Sequence, residues 1–310
     1  MSTVTDMLAQ AGDRPVFVID FSPPRGADLS TLAQAKDIGA DFLCVAYSPG
    51  KSVRVDSVVI AHLIALGRET KPPPSKPPPS GGGVAMSEGQ GVIFNLACRD
   101  MNRLAIQNHL LGAQLLGLEN VVVLQGDGFT DKEREAVKGV NDYQPAELIR
   151  DIQRLNKGED FRGGKLRAPT AFCVGAVMDF SKGIQEEARR AARKAEAGAD
   201  FFLAQTFYDV ALARQFHDSY ESQVGAPFPK PIFYGLPIPA KDGLLFGDVP
   251  KHVIGDMEAG RSGVDIARQQ LQTFLDAGLR TIYVVPPILR SGRRDYAAAR
   301  DVLASFKGVM

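Results

Sequence analysis

Short apolar runs alternate along this chain with longer amphipathic stretches, and the alternation predicts the elements and their order. Eight runs rich in Val, Ile and Phe read as strands. They are 16–21 (VFVIDF), 41–47 (DFLCVAY), 91–97 (GVIFNLA), 120–125 (NVVVLQ), 169–177 (PTAFCVGAV), 200–207 (DFFLAQTF), 231–237 (PIFYGLP) and 280–286 (RTIYVVP). Most are apolar at consecutive positions, as strands covered on both faces of a parallel sheet are. Segments 28–38, 55–68, 100–116, 145–157, 182–197, 209–221, 261–277 and 294–306 read as helices. Several end in one device, Gly39-Ala-Asp, Gly117-Leu-Glu, Gly198-Ala-Asp or Gly278-Leu-Arg, each running straight into a strand. Glycine accepts the left-handed conformation that closes a helix, so these are repeated C-caps. Eight such units with short turns and no crossover reversal predict an α/β fold, a single-domain (β/α)8 TIM barrel spanning 1–310. The segment 71–83, KPPPSKPPPSGGG, breaks the rhythm. Its proline triplets and triple glycine predict an exposed, poorly ordered loop before the third strand, with an SH3-type ligand as the alternative for its PxxP.

Composition leaves that picture intact. The 310 residues are 45% hydrophobic and 23% charged, as in soluble globular proteins, and bury a core that needs no disulfide or metal. Thirty-six basic side chains balance 36 acidic ones, so no overall field draws the protein to nucleic acid or an anionic membrane. The first fifteen residues contain acidic side chains and no apolar core, unlike a signal peptide, and no run is apolar enough to span a bilayer. The expected compartment is the cytoplasm. Cys44, Cys98 and Cys173 lie in apolar, β-rich runs and read as buried reduced thiols. The four histidines form no HxH or HExxH pair, so no metal site is expected.

Chemistry in a β/α barrel gathers where the strands end at their C-terminal face. The polar residues placed there are Asp20, Tyr47, Asn95, Gln125, Asp127, Gln205, Tyr208 and Arg290. Asp20 ends an apolar strand, where a carboxylate is costly unless paired or used. Arg25 is a candidate partner, and a structural ion pair is the competing reading. In Gln125-Gly126-Asp127-Gly128 the glycines let backbone approach a flat ligand, and Asp127 can accept from a heterocyclic amide or amidine; a plain turn explains the same residues. Gln205 needs partners, which a pterin-like edge or a buried structural contact would supply. Phe207 and Tyr208 either stack on a ring or pack. Arg193 and Lys194 suit the last turn of a helix. Alone, these residues describe a barrel that binds a polar heteroaromatic ligand.

In combination they resemble one family. FVIDFSPPR (17–25) is similar to the opening motif of methylenetetrahydrofolate reductases, and GLENVVVLQGD (117–127) to their fourth strand. KAEAGADFFLAQTFYD (194–209) resembles their sixth strand, and 249–287 their closing helix and last strand. The resemblance runs over residues 16–300 and implies a barrel that binds FAD at its C-terminal face. The implied reaction reduces 5,10-methylenetetrahydrofolate to 5-methyltetrahydrofolate, with NAD(P)H as the reductant. It implies Asp20 as the general acid, Asp127 as a catalytic group near pterin and flavin, and Gln205 and Phe207 on the folate. Arg290, with Arg294 as rival, meets the folate's glutamate tail. Tyr47, Asn95, Gln125, Gly126, Arg193 and Lys194 fall at flavin contacts.

The sequence departs from the family mainly on the flavin side. Ala46, Asn95, Gln125, Ala176 and Phe180 stand where the family has threonine, histidine, arginine, tyrosine and histidine. Asp20 replaces glutamate and reaches about 1.5 Å less far. The expectation is a divergent member with weakened flavin binding, or one that takes hydride directly from NAD(P)H or from a deazaflavin. A folate-binding subunit without turnover and a folate-dependent methyltransferase are the alternatives. Homo-oligomers and heteromeric partners are equally compatible with exposed barrel helices.

Overall fold

A computed structural model describes residues 2–35, 38–67, 91–245 and 247–307; the 71–83 segment lies outside them. The chain opens with helix α1 (Val4–Ala11), then β1 (Val16–Phe21), β2 (Phe42–Val45), α2 (Ser57–Ala65), β3 (Gly91–Ala97) and α3 (Arg103–Leu115). Next come β4 (Asn120–Leu124), the single turn α4 (Asp131–Arg134), α5 (Pro145–Leu155), β5 (Cys173–Met178) and α6 (Ile184–Glu196). The last third contains β6 (Phe201–Thr206), α7 (Ala211–Val224), β7 (Ile232–Pro237), the short β8 (Gly243–Leu244), α8 (Lys251–Glu258) and α9 (Gly263–Asp276). It ends with β9 (Thr281–Val285), the short β10 (Ile288–Leu289) and α10 (Tyr296–Lys307).

Strands β1 to β7 and β9 close a parallel barrel in chain order, with β9 pairing back onto β1. All eight predicted strands are its staves. Side chains alternate across the wall: Val16 and Val18 face inward with Phe42, Cys44, Ile93, Val122, Phe201 and Phe233. Phe17, Ile19 and Phe21 face the helices. This two-sided burial is why the strands read as continuous apolar runs. The helix-closing glycines Gly117 and Gly198 have φ of 78° and 105°, values that a side chain would strain.

The structure departs from the predicted elements in several places, and the short helices α4 and α8 fall in segments assigned to no predicted element. The predicted helix 28–38 is a 3-10 segment, Leu29–Ala35. Helix α1, which the sequence reading passed over, is closed by a capping box between Thr3 and Asp6. It plugs the N-terminal mouth: Val4 N donates to Asn120 Oδ1 at 2.8 Å, and Met7, Leu8 and Ala11 pack on the inner layer. At the opposite mouth, β8 and β10 form an antiparallel pair over the ends of β7 and β9. Cys44, Cys98 and Cys173 are buried free thiols. No described helix is long and apolar enough to cross a membrane.

Candidate active site at the C-terminal mouth

Because Val16 and Val18 point inward, the strand period places Asp20 inside the barrel at its upper rim. It is 4% exposed. Tyr283 Oη donates to Asp20 Oδ1 at 2.9 Å, and the Arg294 guanidinium forms an ion pair with Oδ2. Arg294 Nε also donates to Ser22 Oγ at 3.0 Å, so it ties the β9–α10 connection to the end of β1. Arg294, not Arg25, is therefore the partner of Asp20. The sequence reading did not single out Tyr283; its signal was the inward parity of β9, where register pairs it with Val18. Below this group the Cys44 thiol donates to Asn95 Oδ1 at 3.2 Å. Burial, and then the Asp20 charge, push both the Cys44 thiol and the Tyr283 phenol well up from their usual values. Both stay protonated, as donors.

Across the mouth, β6 carries a bulge. Its register with β7 runs Leu203 to Phe233 and then Thr206 to Gly235, one extra residue on the β6 side. Gln205 sits in that bulge, exposed in the mouth and not a buried structural amide. The backbone of β7 passes close beside it: a Cβ added at Gly235 would lie 2.5 Å from the Gln205 carbonyl. The extra residue also inverts the parity beyond it. Phe207, which would have faced the mouth, turns instead into the layer between barrel and helices. It is 6% exposed, stacked on Phe274 at 5.0 Å and edge-on to Phe180. The substrate-binding role expected for Phe207 is thus corrected to core packing. Tyr208 packs beside Val253 and Met257.

The flavin-side positions are occupied by contacts within the protein. Gly126 has φ of 84°, and its inner face is covered: an added Cβ would meet Arg99 Cβ at 3.0 Å. The buried Arg99 makes two bonds to Asp100, at 2.6 and 2.7 Å, donates to Asp127 O, and lies over the Phe129 ring. Tyr47 hydrogen-bonds Asp100, and burial with that charge raises its phenol to about 12. Gln125 Nε2 donates to Asn141 at 2.9 Å. The Arg99–Asp100 pair escaped the sequence reading because an Arg-Asp dipeptide after a strand looks like solvated turn chemistry. The Asp127 side chain is exposed at the rim.

The basic residues expected on the flavin phosphates are placed elsewhere. Lys194 is largely buried and donates to Val177 O at 2.6 Å, with Glu187 3.8 Å away. Burial lowers its pKa, and Glu187 partly restores it. Arg193 is exposed beside Glu186 on the outer face of α6. Ala176 and Phe180 are buried among the helix-facing residues, so no side chain there reaches the mouth. Arg290 is exposed on the β10 turn, whereas its rival Arg294 is engaged with Asp20. Most of the expected flavin contacts are thus turned away or bonded within the protein, while Arg193 is exposed and Gln125 Oε1 has no partner among the described residues. The residues present do not fit a bound FAD.

Comparison with known proteins supplies the family. Among solved structures, the chain is similar to an uncharacterized protein from Clostridium thermocellum that binds two copies of 5-methyl-5,6,7,8-tetrahydrofolic acid. The TM-score is 0.63 at 12% identity, over 99% of this chain and 100% of that one. A 2,3-dimethylmalate lyase matches with a TM-score of 0.48 at 16% identity, over 99% of this chain and 88% of the other. The first of these likenesses speaks to the fold. A sequence model of the methylenetetrahydrofolate reductase family matches residues 86–243, just over half of the chain and all of β3 to β7. With the (β/α)8 barrel, that match shows that the chain belongs to the methylenetetrahydrofolate reductase family.

Proposed function

We propose that this chain reduces 5,10-methylenetetrahydrofolate to 5-methyltetrahydrofolate with hydride taken directly from NAD(P)H. One observation carries the reading: a buried carboxylate, Asp20, held by two donors at the rim, with the open amide of Gln205 across the mouth. A pterin presents an amide and amidine edge, which the donor and acceptor of Gln205 complement and the exposed Asp127 carboxylate can also meet. The family membership and the methylfolate bound by the C. thermocellum protein point to the same ligand class.

The balance of the reaction assigns the remaining work. The bond between the methylene carbon and N10 breaks, N10 takes a proton, and the resulting iminium carbon takes hydride, leaving 5-methyltetrahydrofolate and NAD(P)+. In this reading Asp20 manages that proton, and Tyr283 and Arg294 fix its two oxygens so that its orientation is set before substrate arrives. Its shortened reach calls for a bridging water or a shifted substrate at N10. The barrel wall and the β8–β10 pair limit water around the iminium.

The test is anaerobic incubation with 5,10-methylenetetrahydrofolate and NADH or NADPH, with product identified by mass. The expected result is stoichiometric 5-methyltetrahydrofolate from colourless protein. Stoichiometric FAD released on denaturation would overturn direct transfer. Tight 5-methyltetrahydrofolate binding with no turnover on either nucleotide would overturn the reductase reading in favour of a folate-binding subunit.

A further inference from the structure

Three guanidinium groups converge on one side of the mouth. Arg54, after β2, donates from Nη1 to Pro23 O at 2.9 Å and from Nε to Ser52 Oγ at 3.0 Å. Arg25 ends the Pro23-Pro24 segment, and its Nη2 lies over the turn at Gly292, 3.6 Å from where a Cβ there would stand. Arg294 reaches in from the next position but one to Ser22 and Asp20. The connections after β1, β2 and β9 therefore bring three positive charges together around residues 22–25.

The cluster is short of negative charge. Its buried carboxylate, Asp20, is taken by Arg294, and among the described residues no ion pair joins Arg25 or Arg54 to an acid. The strain shows on Arg54, whose pKa is lowered first by burial and then by the charges of Arg25 and Arg294. Like charges held together by carbonyl and hydroxyl anchors repel one another unless an anion joins them. The Arg54 bonds use Nη1 and Nε, and Arg25 is exposed, so donors remain for a ligand.

We infer that Arg25 and Arg54, on the flank of Arg294, form an anion subsite for a ligand with closely spaced anionic oxygens, as in a diphosphate. Two ligands of the proposed reaction have that chemistry: the diphosphate of a dinucleotide reductant and a γ-linked chain of glutamate carboxylates on the folate. Guanidinium forks suit both oxyanions, and the subsite would anchor the charged end of a ligand whose reacting ring lies over Asp20. The assignment of either source rests on the reductase reading; the anion subsite does not.

The experiment is calorimetric titration of the intact protein with inorganic pyrophosphate, with ADP and with tri-γ-glutamate, at low and moderate salt. Wild type is expected to bind pyrophosphate with an affinity that falls as salt rises. Arg25→Gln and Arg54→Gln should each weaken it by roughly tenfold or more, the worth of one charge-assisted bond. Arg189→Gln, on the outer face of α6, should leave it unchanged. Competition by ADP alone assigns the subsite to the dinucleotide, and competition by tri-γ-glutamate alone assigns it to the folate tail. Arg25 is exposed, so its variant keeps the test open if Arg54→Gln fails to fold. Absence of pyrophosphate binding, or equal weakening by Arg189→Gln, overturns the subsite. Pyrophosphate binding without reductase turnover retains the subsite while the reductase reading falls.

Discussion

Removing Arg294 tests the physics of the site most directly. Its side chain is 8% exposed and that of Asp20 is 6% exposed, so the pair is desolvated. In Arg294→Met the aliphatic stem is replaced and the guanidinium is lost, which leaves Asp20 with Tyr283 as its remaining donor. Breaking a buried pair from one side costs about 3–5 kcal/mol, and the surviving Tyr283 bond places the expectation near the lower end, about 3 kcal/mol. Against a typical stability of about 5–15 kcal/mol, the variant should fold but be clearly weakened. Asp20→Asn should cost a similar amount, because it strands a buried guanidinium. The double variant removes both charges and should recover part of the loss, giving a coupling of about 1.5–3 kcal/mol. Urea denaturation of the four proteins, compared at constant m-value, reads each term. Additive losses, with coupling under about 0.5 kcal/mol, would refute the reasoning and make Arg294 an ordinary surface arginine.

Four further outcomes follow from the same geometry. Tyr283→Phe removes one donor from Asp20 and should cost about 1–2 kcal/mol in urea denaturation, with a larger fall in kcat than in KM if Asp20 manages the proton. Gly235→Ala should be destabilised by about 1–3 kcal/mol or more and lose folate affinity in titration, because its Cβ would strike the Gln205 backbone. Phe207→Leu should lower the thermal midpoint while leaving KM for the folate unchanged, since the ring packs on Phe274 outside the mouth. Burial lowers the pKa of His217 from its ordinary 6.5, so the unfolded chain binds its proton more readily than the folded one. Its contribution is complete above pH 6.5 and is lost as pH falls through the lower folded value. His217→Gln, which can keep the bond to Tyr234, should therefore flatten the acid side of the stability profile.

The barrel was legible in the sequence because a parallel strand covered on both faces is apolar at every position. The helices between strands repeat glycine caps such as Gly117 and Gly198, whose positive φ is a local requirement. Local chemistry likewise placed Asp20 at the end of β1 and Gln205 at the end of β6. Helix α1 was less visible because it is only eight residues long and its order comes from plugging the barrel floor. What Asp20 meets was a tertiary matter. Its partner lies 274 positions along the chain, so proximity in sequence favoured Arg25 where the fold supplies Arg294. The fate of Phe207 was decided by one extra residue in β6, which no residue type announces and which turns the ring from the mouth into the core. The flavin-side positions show the same division. Residue identities there depart from what the family resemblance implies, while the structure shows Arg99, Asp100 and Lys194 bonded to one another or to neighbouring backbone. Patterning dictates which faces are buried; long-range pairing and register dictate which groups meet.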